Sequence, residues 1–126
     1  MKIIGIGMDI VETKRIGESL ERFGDRFLHR VFLDGEIAYA RSMKFPHLHL
    51  AARFAAKEAI SKAFGTGIGK EIGWRDMEIV REPSGQPRVV LHGRAVDYAK
   101  SRGVLEIHVS LSHTAEYGAA SAVIVG

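Results

Sequence analysis

At 126 residues the chain is long enough for one hydrophobic core and too short for two. Apolar residues make up 46% of it, which excludes a disordered chain, and the lack of cysteine excludes disulfides, thiolate metal centres and cysteine nucleophiles. A formal charge of +3, without an arginine-rich arm or an aromatic-basic ribonucleoprotein motif, favours a polyphosphate or an acidic protein as partner over nucleic acid.

Residues 2–11 alternate as a strand, with Ile4, Ile6, Met8 and Ile10 on one face and Gly5, Gly7, Asp9 and Val11 on the other. Asp9 and Glu12 end this apolar opening too early for a signal peptide, and no run approaches the ~18–20 apolar residues of a membrane helix. A cytoplasmic location with no membrane partner is therefore expected. Thr13 predicts a helix N-cap. Behind it Ile16, Leu20, Phe23 and Phe27 fall at helical spacing, and Arg15, Arg22 and Arg26 occupy the opposite side with Lys14 nearby. Gly24-Asp25 divides this stretch into two short helices, and a third is predicted from Glu36 to Met43. Pro46 interrupts, and a long helix runs from about His47 to Phe64.

Gly65-Thr66-Gly67-Ile68-Gly69 follows that helix, whereas a phosphate cradle precedes one, so Gly65 reads first as a C-cap. The glycines also leave room for backbone to approach a ligand. Two strands, Met77 to Val80 and Arg88 to His92, are joined by Pro83-Ser84-Gly85-Gln86-Pro87 into a hairpin. Gly93 opens a helix that ends near Gly103. Leu105 to His113 alternates as a strand, a turn falls on Ala115 to Gly118, and Ala119 to Val125 forms the last strand. No repeat or linker divides the chain, so residues 1–126 are expected to form one α+β domain, a largely antiparallel sheet packed against a long helix and shorter ones.

The run Arg53-Phe54-Ala55-Ala56-Lys57-Glu58-Ala59-Ile60-Ser61-Lys62 carries the chemistry. Residues four apart share a helix face, so Phe54, Glu58 and Lys62 form one stripe and Arg53, Lys57 and Ser61 the next. A ring, a carboxylate and an ammonium in line, with cations beside them, suit a metal-bound phosphate ester with an organic tail. Taken alone, Glu58 and Lys62 are also an ordinary surface pair. Asp9 supplies a second carboxylate from another element, either as a ligand of a divalent cation or as a cap for the next helix. His113, near a strand end, reads as a hydrogen-bonding or phosphate-contacting residue before a catalytic base, and the remaining histidines form no metal spacing.

Three segments together resemble one family: Gly5-Ile6-Gly7-Met8-Asp9-Ile10-Val11-Glu12, then Arg53 to Ala59 with Lys62, then Ser110-Leu111-Ser112-His113 with the small-residue final strand. In order and over essentially the whole chain they are similar to the holo-acyl-carrier-protein synthases, the small single-domain 4′-phosphopantetheinyl transferases. The resemblance implies transfer of phosphopantetheine from coenzyme A to a serine of apo acyl carrier protein, in fatty acid biosynthesis. It implies a homotrimer with sites between subunits, and Mg²⁺ (or Mn²⁺) held by Asp9 and Glu58. Lys62 then contacts the diphosphate, and Asp9, Glu58 and Lys62 form the catalytic set. Coenzyme contacts carry over to Lys44, Arg53, Phe54, Ser61, Lys62, Gly65, Ser84, Gly85, Pro87, Ser112, His113 and Thr114. The hairpin turn is expected to reach the adenosine end from a neighbouring subunit. Lys44 stands alone where relatives carry a basic pair, so the holder of the 3′-phosphate stays open.

A cation on Glu58 lowers its basicity, so a water shared between Glu58 and the metal is the expected proton acceptor. Lys14, Arg15, Arg22 and Arg26 form a basic face suited to docking an acidic carrier protein. The alternatives are the same transfer onto a peptidyl or polyketide carrier domain, and a non-catalytic coenzyme A-binding module.

Overall fold

Two glycines on the first strand set how the chain packs. In the computed structural model, which describes residues 1–126, β1 is Ile3–Glu12 and the long helix α4 is Pro46–Phe64. A Cβ built on Gly5 would overlap the Ala63 carbonyl oxygen, and one on Gly7 that of Ala59. The helix thus lies directly on the strand backbone, which is why glycine is needed in an element it otherwise weakens. Gly118 plays the same part on the last strand, where an added Cβ would stand 2.7 Å from the Ala52 nitrogen.

Between these elements run α1 (Thr13–Phe23), α2 (Asp25–Val31) and α3 (Asp34–Arg41). A 3₁₀ turn at Trp74–Asp76 leads into β2 (Met77–Arg81) and β3 (Pro87–Leu91), followed by α5 (Arg94–Ser101), β4 (Glu106–His113) and β5 (Tyr117–Val125). The strands form a three-stranded antiparallel sheet in the order β1-β5-β4 and a separate β2-β3 hairpin. Register puts Asp9 opposite Ala120 and Leu111 opposite Ala120 from the other side, all on the face that carries α4. Small side chains, Ala51, Ala55, Ala56, Ala59 and Ala63, fill the contact and are buried. Gly24 separates α1 from α2 at φ 55°, and Gly65 caps α4 in the left-handed region at φ 81°, as the sequence predicts.

The structure corrects three expectations. Thr13 is not the N-cap: it is the first helical residue, and its hydroxyl donates to the Ala115 carbonyl at 2.6 Å, tying α1 to the β4–β5 turn. Tyr117 and Gly118 belong to β5 rather than to the turn before it. The stripe Arg53, Lys57 and Ser61 does not stand beside the ligand face as a row of free groups; all three are buried. Lys57 is fully enclosed and donates to Glu36 Oε1 at 2.7 Å, to the Val31 carbonyl at 2.7 Å and to the Trp74 carbonyl at 3.1 Å. Burial pushes its pKa down, and Glu36 opposes that shift. Glu36 in turn accepts from the backbone N–H groups of Leu33 and Ile79.

This network pins α3, α4 and β2 to each other. Lys57→Met should lower unfolding free energy by about 3–5 kcal/mol, because it leaves the Glu36 carboxylate buried without its cation. The double change with Glu36→Gln should recover part of the loss; urea unfolding measures both, and equal losses would rule out a stranded charge as the cause.

Candidate active site

The close contact of β1 with α4 brings Asp9 beside Glu58 and Lys62. Lys62 Nζ lies 3.0 Å from Asp9 Oδ1 and 3.1 Å from the Met8 carbonyl oxygen. The Asp9 side chain is mostly covered and that of Lys62 is half exposed, so the pair lies at the rim of the helix–sheet contact. Glu58 remains partly open one turn back on α4. Its carboxyl is held above its ordinary pKa, first by burial and then by the Asp9 charge, with Lys62 and Arg15 acting against both. Two carboxylates that repel one another at an open rim, with one lysine between them, have the donor chemistry for a divalent cation that completes its shell elsewhere. No group of three or more acidic, histidine or cysteine ligands exists, so the structure offers no self-contained protein cage for a metal.

Phe54, one turn before Glu58, stacks on Trp74 with ring centroids 4.8 Å apart. Together with Phe23, Phe27, Arg26 and Arg30 they line a cleft of about 330 Å³ between α4 and the helices α1 and α2. Sequence reasoning missed Trp74; the signal was that it is the chain's single tryptophan, placed just before a strand. The cleft runs from Phe54 to the basic side of α1 and α2; Lys14, Arg15 and Arg22 are exposed on α1, whereas Arg26, expected on the same helix, is exposed on α2 beyond the Gly24 break. Arg15 is close enough to Glu58 to lower its pKa, so it belongs to the acidic rim as well as to the basic face.

A second, basic cleft of about 260 Å³ opens on the other side of α4. Arg53, Gly85, Pro87 and His113 meet there, joined by Tyr39, His49 and Arg81. The sequence reading did not single out Tyr39, His49 or Arg81, because they come from three separate elements. Ser84 stays exposed in the hairpin turn, its hydroxyl accepting from the Gln86 N–H at 3.4 Å. Lys44 lies over the Phe45 ring at 5.5 Å and outside the walls of this cleft.

The other proposed coenzyme contacts are scattered. Ser61 is fully buried and its hydroxyl donates to the Glu58 carbonyl at 2.8 Å, so its side chain serves the helix and offers no open surface. Ser112 pairs with Ala119 on the sheet face away from α4, whereas His113 pairs with Gly118 on the face toward it. The Thr114 hydroxyl accepts from the N–H groups of Glu116 and Tyr117, closing the turn before β5. Gly65 is exposed, and nothing stands within 4 Å of where its Cβ would lie. The single chain therefore holds these groups in two separate sets. Asp9 is on β1 and His113 on β4, the two edges of the sheet, with α4 above the middle strand between them.

The chain matches a family model described as the 4′-phosphopantetheinyl transferase superfamily over residues 5–122. It is 48% identical to a protein from Koribacter versatilis named holo-[acyl-carrier-protein] synthase, over 97% of this chain and 98% of that one. A crystal structure of the synthase of that name from Neisseria meningitidis superposes with a TM-score of 0.93 at 32% identity, covering 99% of this chain and 100% of the other. The Helicobacter pylori synthase, solved in complex with coenzyme A, gives a TM-score of 0.85 at 34% identity, covering 95% of this chain and 99% of the other.

Proposed function

The chain belongs to the 4′-phosphopantetheinyl transferase superfamily, and from that premise we propose that it is a holo-acyl-carrier-protein synthase, moving phosphopantetheine from coenzyme A to a serine of apo acyl carrier protein. The observation that carries this reading is the meeting of Asp9, Glu58 and Lys62 from two distant segments at one open rim. The reaction consumes a diphosphate. The carrier serine oxygen bonds to the β-phosphorus, the bond to the bridging oxygen breaks, and adenosine 3′,5′-bisphosphate leaves with the electron pair. The demands on the protein are placement and charge neutralisation.

Lys62 holds a positive charge at the rim where the diphosphate oxygens gather. Glu58 is held above its ordinary pKa in the unliganded rim, but a cation bound there lowers its basicity, so the serine proton passes to a water shared with Glu58 rather than to the carboxylate itself. Mg²⁺ is the metal this donor set fits, with Asp9 and Glu58 as its protein ligands; when bound it neutralises charge on the diphosphate. Phe54 and Trp74 cover apolar parts of the reactants, and the cleft they line leads to the basic face of α1.

Arg53, Gly85, Pro87 and His113 are assigned to the coenzyme at the far side of α4. The two sheet edges are about 10 Å apart at ordinary strand spacing, and α4 stands between the groups they carry. We assign the two sets that one coenzyme touches to neighbouring chains, in a homotrimer with its sites between subunits. The chain has no cysteine, and no helix is long and apolar enough to cross a membrane, in keeping with the cytoplasmic location we assign.

The test is intact mass of apo carrier protein after incubation with this protein, coenzyme A and Mg²⁺. One added phosphopantetheine is expected, and an unchanged mass would leave only a binding module. Charge reversal of the docking face should be read at Arg22, because Arg15 also acts on Glu58. Arg22→Glu should raise the KM for an acidic carrier about tenfold at low salt, with coenzyme A affinity unchanged. An unaltered carrier KM would remove α1 from the docking face.

A further inference from the structure

The loop from Gly65 to Gly73 continues directly from the last turn of α4, and its sequence gives it little stiffness of its own. It contains no helix or strand, and Gly65 and Gly67 sit at φ 81° and 67°, in the left-handed region that favours glycine. Ile68 and Ile72 anchor it to the core by their side chains. Its backbone is held by α5, which rests on the core through the buried Ala95 and Ala99. Arg94, the first residue of that helix, donates from Nη1 to the Lys70 carbonyl at 2.5 Å, from Nη2 to the Gly69 carbonyl at 2.8 Å and from Nε to Asp76 Oδ2 at 3.0 Å. A Cβ on Gly73 would stand 2.9 Å from Nη2, so glycine there leaves the room that this guanidinium occupies. At the other end Arg102 caps α5, and its Nη1 donates to the Phe64 carbonyl at 3.0 Å and to the Tyr98 hydroxyl at 2.8 Å. The 8 residues of α5 separate the two arginines by about 12 Å.

We propose that Arg94 and Arg102 are positioning residues for the transfer: α5 clamps this loop at both ends, and the clamp fixes the last turn of α4 so that Lys62 meets the coenzyme diphosphate in one place. The proposal rests on the transferase reading above and extends it to a helix that no motif touches. Few contacts separate the clamp from the site. Phe64 is the last residue of α4, and its carbonyl is among those that a helix cannot satisfy internally. The Gly65 N–H donates to the Lys62 carbonyl at 2.9 Å, and those of Thr66 and Gly67 both donate to the Ser61 carbonyl at 3.2 Å. The turn that closes α4 therefore hangs on the backbone of Lys62 and of the residue before it. A cation beside the final carbonyls of a helix is favourable. Lys62, the basic residue of that turn, reaches instead to Asp9 at 3.0 Å, so Arg102 supplies the cation. A loop released at Phe64 and at Gly69 would let the closing turn fray, and the Lys62 ammonium would spread over several positions. A diphosphate is bound and activated best by charge already in place, and a displacement of about 1 Å is costly.

Amide hydrogen exchange, and calorimetric titration with coenzyme A in the presence of Mg²⁺, both on the full-length protein, test this. Arg102→Gln should speed exchange at Thr66 and Gly67 about tenfold and weaken coenzyme A binding about fivefold, with exchange in β5 unchanged. Arg102→Lys, which keeps the charge at the helix end, should recover most of the affinity. The coupling to Lys62 is the decisive readout. In a Lys62→Met background Arg102→Gln should cost no further coenzyme A affinity, a result that a merely structural residue would not give. Arg94→Gln should weaken coenzyme A in the same way, with the fastest exchange shifted to Gly69, whose N–H donates to the Ile72 carbonyl. Unchanged loop exchange in Arg102→Gln, or the same loss of affinity with and without Lys62, would overturn the clamp. Should Arg102→Gln not fold, an Arg94→Gln protein with parental coenzyme A affinity overturns it. A parent protein that does not bind coenzyme A removes the transferase reading and the positioning role with it, whereas a parent that binds, with a loop indifferent to both arginines, removes the clamp alone.

Discussion

Glu58→Gln should reduce phosphopantetheine transfer about a thousandfold, and the unliganded variant should melt one or two degrees higher than the parent. The loss of rate is of the order expected when a principal charge is removed from a preorganised site. The gain in stability follows from the direction of the Glu58 shift. Burial and Asp9 hold its carboxyl above the ordinary value, so the folded chain binds that proton more tightly than the unfolded chain. Stability contributed by the protonated form is then present below the unfolded carboxylate range and is lost as pH rises through the raised folded value. At neutral pH the parent carries that loss and the amide does not. Because Glu58 is partly open to solvent the difference is small. Mg²⁺ should invert the order, raising the melting temperature of the parent and leaving that of the variant nearly unchanged. Transfer assayed by carrier mass and melting followed with and without the metal separate the two effects. A variant that retained full rate would remove Glu58 from the chemistry, and one no more stable than the parent would show that the two carboxylates do not strain the unliganded rim.

The parts of this site legible in the sequence are those set by local rules. Gly5 and Gly7 on an apolar strand announce a close neighbour, and the neighbour is α4. Phe54, Glu58 and Lys62 share a helix face by spacing alone, and Lys62 reaches Asp9 across the contact that the glycines permit. Gly24, Gly65 and the Pro83-to-Pro87 turn mark element ends for conformational reasons that need no tertiary knowledge. What spacing does not reveal is which of two adjacent stripes faces the core. Arg53, Lys57 and Ser61 read as well for open surface as for interior. Their burial is decided by partners outside the helix, Glu36 for Lys57 and Tyr39 for Arg53. The same limit hides the Phe54–Trp74 stack and the convergence of His49, Arg81 and His113, since each joins segments distant in the chain. The polar partner of a buried charge is a property of the fold, and one sequence does not specify it by periodicity.

Ile6→Lys should abolish assembly and, with it, about 99% of the transfer activity, while the isolated subunit stays folded. The alternation in β1 puts Ile6, Met8 and Ile10 on one face, and in the single chain they are 67%, 69% and 64% exposed. Their cross-strand partners are Val123, Ser121 and Ala119, so the same face continues onto β5 with two apolar side chains around one serine. Three large aliphatic side chains in a row on an open sheet face are ordinary for an interface and unusual for water. The opposite face of the same strand carries Asp9, so covering Ile6 and ordering the metal rim are linked through one backbone. Ile6 is the better probe than Met8, whose carbonyl oxygen accepts from Lys62, or Ile10, which adjoins Asp9. A lysine there leaves the α4 contact untouched, because side chains on this face point away from that helix. Circular dichroism should be unchanged and light scattering should give a monomer. If the half-site of Asp9, Glu58 and Lys62 works with the Arg53–His113 half-site of a neighbour, the monomer has neither pair complete. Activity should then return on mixing Ile6→Lys with excess parent chain, through mixed assemblies that still form one interface. A monomeric Ile6→Lys protein that transfers phosphopantetheine at the parental rate would place the whole site within one chain and end the intersubunit reading.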